Sequence, residues 1–476
     1  MRRFEFKSFV VPLVLAAFLL PVLLVLLQGD VLPCTHDNIF HSYRIVAMRE
    51  MLRFGWLFSR WVPNLALGYG YPFFNYREPL PYLVAEAVFA MGTPLPLVLG
   101  GIYAGSLIAA AWGAYVLARD LFGERAGWVA AVSYGLAPYM LLDVLRRGNM
   151  PESIGLAMLP WLFVSTRRLI LSRSRRSFVV TTLLLSALFL SHNISSLLLA
   201  PFLGVYVVLL AWLHRERKAW PYAFLAVGIA VLLTAWFWLP ALTEQDMVQL
   251  HLSRSTRNND FHYNFLTWRE MLFSLPAPYD PDYLNSPMRV SLGVVQAGLA
   301  AVGVVICLAR GRRREQRWLV GLFLAASALY LWMATPDSVW LWEAVPLFSF
   351  MQFPWRLVGR ALLPVSLLAG LAVQMICEWW ETPLQLSPGG GEGGRLVCRP
   401  SAPLGGRKRR GSSGGRMSQD RDVDDCGETP LRLSPGGGEG GWSVSAGRSA
   451  SEGEVIRRGG PPLPLSPAGG EGGRSV

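Results

Sequence analysis

The sequence predicts an all-α membrane protein of about ten transmembrane helices with a disordered C-terminal tail. Three observations carry this fold class. The 476 residues are 52% hydrophobic and only 16% charged, whereas soluble domains carry roughly 25% charged residues. Ten apolar runs meet or approach the roughly 20 residues that a helix needs to cross a bilayer. Beyond Trp380 the composition turns abruptly to Gly/Pro/Ser-rich repeats.

The apolar runs lie near 9–28, 96–118, 126–142, 153–166, 178–190, 194–213, 219–240, 291–309, 318–334 and 360–377. The first follows Arg2, Arg3 and Lys7 as in a signal peptide. No small-residue cleavage site follows at Gln28-Gly29-Asp30, so it reads as an uncleaved signal-anchor. The fourth and fifth runs are short and are expected to tilt, kink at Pro160 or insert only partly.

The formal charge of +12 suggests nucleic acid until the arginines are mapped. With a cytoplasmic N-terminus, the connections 119–125, 167–177, 214–218 and 310–317 are cytoplasmic and hold 15 Lys or Arg in 31 residues. The opposite segments 29–95, 143–152, 191–193, 241–290 and 335–359 hold 12 in 155. A roughly sixfold density bias on alternate loops is the pattern that orients membrane helices. It puts both termini in the cytoplasm and argues against a nucleic-acid partner. The bilayer itself is the first partner expected; the sequence does not address oligomeric state.

This topology collects the unusual polar motifs on the extracytoplasmic side. They are His36-Asp37, the segment Arg146-Arg147-Gly148-Asn149-Met150-Pro151-Glu152, Ser191-His192-Asn193, Glu244-Gln245-Asp246 and Phe353-Pro354-Trp355-Arg356. External loops are polar simply because they meet water. These motifs abut spans, however, and predict one composite site. Ionisable groups at a membrane boundary are functional candidates by default. Residues 38–58 carry apolar side chains at helical spacing, with Arg44, Arg49, Glu50 and Arg53 interspersed. That fits an amphipathic helix on the membrane surface, with Asp37 at its N-terminal end, where an aspartate is also a favoured cap.

Between Gly68 and Tyr82 the external loop 29–95 is dense in Gly, Pro, Tyr and Phe. Interface anchoring explains the aromatics, but not Asn64, Asn75 and Arg77 among them; Tyr76 joins Asn64 as a substrate-contact candidate. Arg146, Arg147 and Arg356 lie nearest the outer span ends, and guanidinium suits bidentate phosphate binding. A lipid-linked substrate or ordinary phospholipid headgroups would both supply that phosphate. Glu152 and the short turn His192-Asn193 are held at the same depth, while His36 and His41 gather with His192 only through the fold. Six scattered histidines without HExxH-type spacing give a divalent metal weak support, and no other cofactor is indicated. Five cysteines show neither zinc spacing nor a disulfide framework.

The tail repeats itself: ETPLQLSPGGGEGG at 381–394 returns as ETPLRLSPGGGEGG at 428–441 and as PPLPLSPAGGEGG at 461–473. Such sequence buries too little apolar surface to offset chain entropy. Residues 1–380 are therefore expected to form the transmembrane domain and 381–476 a disordered tail. The repeats resemble translated repetitive DNA joined to a gene interrupted by frameshift or insertion. The expectation is that the membrane part lacks its natural C-terminal spans; the alternative is that the repeats bind something.

The strings HDNIFHSYRI, RWVPNLALGYGYPFFNYREPLPY, RGNMPE, LSHNISS and MQFPWR resemble a family of bacterial polytopic membrane proteins. These carry the label "6-pyruvoyl-tetrahydropterin synthase-related" membrane domain, and the resemblance covers roughly 10–375. Pterin chemistry does not follow from the label, since no soluble domain with a clustered His trio is visible. The family is similar to the GT-C glycosyltransferases, which place an acid in the first external loop and use polyprenyl-phosphate sugars as donors. The resemblance implies that Asp37 is the general base and that Arg146, Arg147 or Arg356 offsets charge on the departing phosphate. Asn38 stands where a second acid would follow, which counts against metal dependence. The alternatives are a transporter or flippase, and a non-catalytic, decayed membrane protein. A transporter would place charges at mid-span and repeat itself in halves, and residues 1–377 do neither.

Overall fold

The computed structural model describes residues 7–381 except 30, 31, 33, 56–59, 217–218, 250–256, 274–287 and 311–312. Arg2, Arg3 and the tail beyond Glu381 lie outside the described residues. Within them the chain is almost wholly helical, with one isolated β-bridge pairing Val62 and Tyr71.

Each of the ten apolar runs is largely helical, and two of them, 126–142 and 219–240, each extend over a pair of helices. The first is α1 (Lys7–Leu26), and the surface segment that follows forms α2 (Asn38–Arg53). After a short helix, α3 (Phe73–Tyr76), comes α4 (Leu80–Ala90), an apolar helix inside the segment expected as external loop 29–95. The long α5 (Leu95–Phe122) is followed by α6 (Glu124–Gly135), α7 (Pro138–Leu142) and a π-helical turn over Asp143–Arg147. Then come α8 (Met150–Ser172), α9 (Arg175–Ser191), α10 (Asn193–Leu213), α11 (Trp220–Leu233) and α12 (Ala235–Thr243). Helices Val294–Arg310, Arg314–Met333 and Arg356–Glu381 complete the bundle.

Five of these are long and apolar enough to cross a membrane, and up to seven if two bent pairs each count as one span. The bent pairs are α11 with α12, at 67°, and Arg314–Met333 with Pro336–Ala344, at 93°. Val10–Leu26 and Val294–Arg310 are shorter apolar helices, and α9 has 17 residues. The chain is thus a multi-pass membrane protein. The fourth run, expected to be short, lies in a helix of 23 residues. Past the apolar stretch, Arg167 meets Glu315 at 2.6 Å on the Arg314–Met333 helix.

Small side chains let the helices approach. Gly113, Ala110, Ala111, Ala114 and Ala118 are buried along α5, and a Cβ at Gly113 would stand 2.7 Å from the Pro160 ring of α8. On the last helix, a Cβ at Gly370 would stand 2.4 Å from the Ala126 carbonyl of α6. Lipid supplies no hydrophobic drive between helices, so such close packing and interhelical polar bonds hold membrane bundles together. On α11 the outward side chains Phe224, Leu225, Leu232 and Leu233 are exposed, as befits a face turned to acyl chains.

Candidate functional site

The site grows from the segment that leaves α7. The π-helical turn ends at Gly148, with φ +64°, where a Cβ would stand 2.2 Å from Thr35 Oγ1 and 2.6 Å from Asn38 Oδ1. Only glycine fits that left-handed, crowded position. Next, Asn149 caps α8: its side chain accepts the Glu152 N–H at 3.2 Å, and Pro151 occupies the first turn, where its missing N–H costs nothing. This geometry turns Arg147 and Glu152 toward one another.

Glu152 is 0% exposed and is the hub of a buried network. Arg147 Nη1 donates to Glu152 Oε2 at 2.7 Å and to Asp143 Oδ1 at 2.5 Å, and Tyr139 Oη donates to Glu152 Oε1 at 2.7 Å. From the last helix, Arg360 donates to Glu152 Oε1 and, through Nη2, to Ser195 Oγ at 2.7 Å. Arg356 Nε stands 3.8 Å from Glu152 Oε2. Aromatic faces cover the cations: Trp355 lies 4.7 Å from the Arg147 guanidinium and Phe353 4.8 Å from that of Arg356. His192 caps α10, its Nδ1 accepting the Ser195 N–H at 3.0 Å. Three guanidiniums therefore face two carboxyl groups.

Asp37 sits at the edge of this cluster, held by main chain. Its N–H donates to the Arg147 carbonyl at 2.8 Å, and the His36 N–H donates to the Arg146 carbonyl at 3.1 Å. Asp37 occupies the N-cap position of α2, yet its side chain makes no capping bond. Thr35 Oγ1 accepts the Asn38 N–H instead, at 3.1 Å. Capping does not account for this aspartate. Its half-buried carboxylate has no hydrogen bond or ion pair among the described residues.

Beneath α2 lies a second polar layer. Tyr103 Oη stands 2.6 Å from the Gly148 carbonyl and 2.7 Å from Asn38 Oδ1. Tyr82 Oη stands 3.0 Å from His41 Nδ1 and accepts from Arg44 Nη1 at 3.3 Å. Burial, then Arg44, Arg77 and Arg147, hold His41 well below the ordinary histidine range. His36 is lowered by burial too, with Asp37 opposing and Arg146 and Arg147 adding to it.

The predicted residues divide accordingly. His36, Asp37, Arg147, Glu152, His192 and Arg356 meet around one cluster, with His41 and Arg44 just below it. The Arg146 side chain is exposed, and so is that of Asn193, whose N–H donates to buried Glu78 at 3.0 Å. Asn64 is exposed on a hairpin. Tyr76 belongs to a separate clamp, in which its hydroxyl donates to the Glu244 carbonyl at 2.6 Å. Around the same Glu244, Arg60 donates to Oε1 at 3.1 Å and Asn75 to Oε2 at 3.0 Å. Sequence reasoning missed Tyr139, Asp143, Ser195 and Arg360. Two carried a signal: Asp143 stands four residues before Arg147, and Arg360 is a charge inside an apolar run, one turn past Arg356.

Among the described residues no three His, Cys, Asp or Glu side chains are grouped so as to hold a metal ion. In the cluster Asp143 and Glu152 are engaged by arginines, so the described residues there do not fit a divalent cation and no step is routed through one.

Known proteins resemble this arrangement at the level of fold. ArnT from Cupriavidus metallidurans, solved bound to undecaprenyl phosphate, superposes with a TM-score of 0.50 at 16% identity, over 78% of this chain and 60% of its own. The apo oligosaccharyltransferase of Archaeoglobus fulgidus gives 0.45 at 12% identity, over 79% of this chain and 51% of its own. The likeness to ArnT is one of fold, and the fold here is GT-C-like. An uncharacterized protein of Lactococcus lactis subsp. cremoris is 21% identical over 247 residues, 49% of this chain. The matched stretch spans only 39% of that relative's length. The model for the 6-pyruvoyl-tetrahydropterin synthase related domain, described as a membrane protein, matches residues 74–382, so the Asp37 segment precedes the match. By that match, which takes in α4 to the last helix and with them the Glu152 cluster, the chain belongs to the 6-pyruvoyl-tetrahydropterin synthase related membrane-protein family.

Proposed function

We propose that this chain is an integral-membrane glycosyltransferase that moves a sugar from a polyprenyl-phosphate donor to an acceptor hydroxyl on the extracytoplasmic face. Asp37 is the general base. Its carboxylate takes the acceptor proton as the hydroxyl oxygen bonds to the anomeric carbon, and the bond from that carbon to the phosphate oxygen breaks. The departing lipid phosphate keeps the electron pair. Arg356, less tightly bound to Glu152 than Arg147 or Arg360, and exposed Arg146 offset its charge. Arg147 and Glu152 act one step back, holding the Asp37 segment. In this reading residues 1–380 are the working domain in the bacterial inner membrane, with both termini cytoplasmic, and 381–476 a disordered appendage.

The single observation behind the reading is the contrast at the cluster's edge: every buried acid there is engaged by arginine, while the Asp37 carboxylate is unspent. ArnT, solved bound to undecaprenyl phosphate, supports a polyprenyl-phosphate donor. The test is transfer from polyprenyl-phosphate sugars by the full chain in membranes, wild type against Asp37→Asn. The substitution should lower transfer roughly 100- to 10,000-fold while leaving thermal unfolding unchanged. Undiminished transfer removes Asp37 as the base. A transporter reading draws on the two bent helix pairs, because broken helices line substrate paths. Movement of the lipid-linked sugar across vesicles, untouched by Asp37→Asn and without transfer, would favour it.

A further inference from the structure

Between α2 and α3 the chain makes a hairpin that the proposed chemistry does not use. Val62 and Tyr71 exchange both backbone hydrogen bonds, at 2.9 and 3.0 Å, and close a loop of eight residues. The indole of Trp61 packs across the backbone at Gly70, where a Cβ would stand 2.4 Å from Nε1. At the tip Ala66 and Leu67 both have positive φ, 51° and 58°. A left-handed conformation is costly for residues with a Cβ and persists only where the surroundings impose it. What this backbone presents is apolar: Leu67 is 98% exposed and Tyr69 86%. Buried side chains would explain strained backbone in a core; here the strain holds apolar side chains away from the protein.

The base of the hairpin is tied to α12. Arg60 on one arm, and Asn75 and Tyr76 beyond the other, all bind Glu244, the residue that ends α12. On α12 the side chains Trp236, Leu239 and Leu242 point outward and are exposed, and Met247, just beyond, is 81% exposed. These continue the lipid-facing surface of α11 up to the foot of the hairpin. At its start α2 presents Ile39, Phe40, Tyr43 and Val46 outward, the spacing of a helix lying with an apolar stripe on a membrane. Trp and Tyr are the side chains enriched at the headgroup level, where one end of the ring is wet and the other apolar.

We infer that the Val62–Tyr71 hairpin is a membrane-interface finger, whose tip at Leu67 and Tyr69 inserts into the headgroup and upper acyl region of the leaflet on the Asp37 side. The finger is anchored through Glu244 to the end of α12, so it moves with the bent α11–α12 pair instead of trailing as a free loop. The occupant of its surface is phospholipid of the surrounding bilayer.

The test attaches an environment-sensitive NBD fluorophore at Leu67→Cys or Tyr69→Cys in the full chain, with Cys34, Cys377, Cys398 and Cys426 changed to Ser. Both positions are so exposed that the label disturbs no packing. The protein is reconstituted in phosphatidylethanolamine–phosphatidylglycerol vesicles, with or without brominated acyl chains. Brominated lipid should quench both labels roughly twofold or more, and aqueous iodide should quench them little. A label at Asn64→Cys, on the hairpin arm, should be the more iodide-sensitive. Strong iodide quenching at 67 and 69 with none from brominated lipid overturns the inference and leaves the tip as a surface facing water, open to a soluble macromolecule.

Discussion

The bundle carries two groups of ion pairs at opposite ends of the same helices, and they are built on different principles. At one end, Glu152 binds Arg147 and Arg360 in full burial, with Tyr139 donating a further hydrogen bond. About 22 Å along α8, Arg167 pairs with Glu315, which also stands 3.3 Å from His214, and Asp120 lies 3.0 Å from Arg119 and 3.6 Å from Arg168. The second group is partly exposed, so water competes for every charge. A wet pair contributes little to stability. A dry cluster holds together because all its charges answer one another, and removing one member strands the rest. The wet end can exchange partners at small cost, while the dry end fixes geometry.

Matched substitutions separate the two. Glu152→Gln leaves Arg360 buried without a carboxylate partner and Arg147 with Asp143 alone, and should cost about 3–5 kcal/mol, read as a lower midpoint of thermal unfolding in detergent. Gly148→Ala follows: a Cβ would meet Thr35 and Asn38 in a left-handed backbone, an expected loss of about 2–3 kcal/mol together with reduced transfer, because the Asp37 segment must shift. Tyr139→Phe keeps the ring but removes one donor to Glu152, an expected loss of about 1–2 kcal/mol. At the wet end Glu315→Gln should cost less than about 1 kcal/mol. An equal loss for Glu152→Gln and Glu315→Gln would erase the distinction.

Acid sharpens the same contrast. His41 is held neutral by burial and by Arg44, Arg77 and Arg147, so its folded pKa lies well below the ordinary 6.5. The unfolded chain binds the proton more readily, so stability is complete above about pH 6.5 and falls as the pH drops below it. His262 runs the other way: bonds to Asp260 and Glu343 outweigh burial and raise it. The stability it adds is present below pH 6.5 and is lost as the pH rises through its raised value. The wild-type midpoint should drop between pH 7 and 5, and His41→Gln should flatten that slope while His262→Gln steepens it.

Much of the fold was legible in the sequence because apolar length and alternating loop charge are local properties. α4 was not: Pro79 and Pro81 read as loop punctuation, although proline in a first helical turn lacks only a hydrogen bond it would not make. At the site, each motif was visible but its pairing was not. Glu152 and Arg360 are separated by 208 positions, and nothing short-range says which arginine a buried acid will choose. Arg360 was absorbed into an apolar run, and Tyr139 and Ser195 resembled ordinary span residues. Tyr76 stood among the candidates by proximity in sequence, whereas tertiary contact with Glu244 carries it to another part of the molecule.

The two bonds that seat Asp37 come from the carbonyls of residues 146 and 147, not from their side chains. Every residue type offers that carbonyl. Position 146, with its side chain in the open, is therefore free to vary without moving the acid. In the proposed reaction, exchange of the cation there would alter the preference for one donor headgroup over another, while the proposed base stays at the same address.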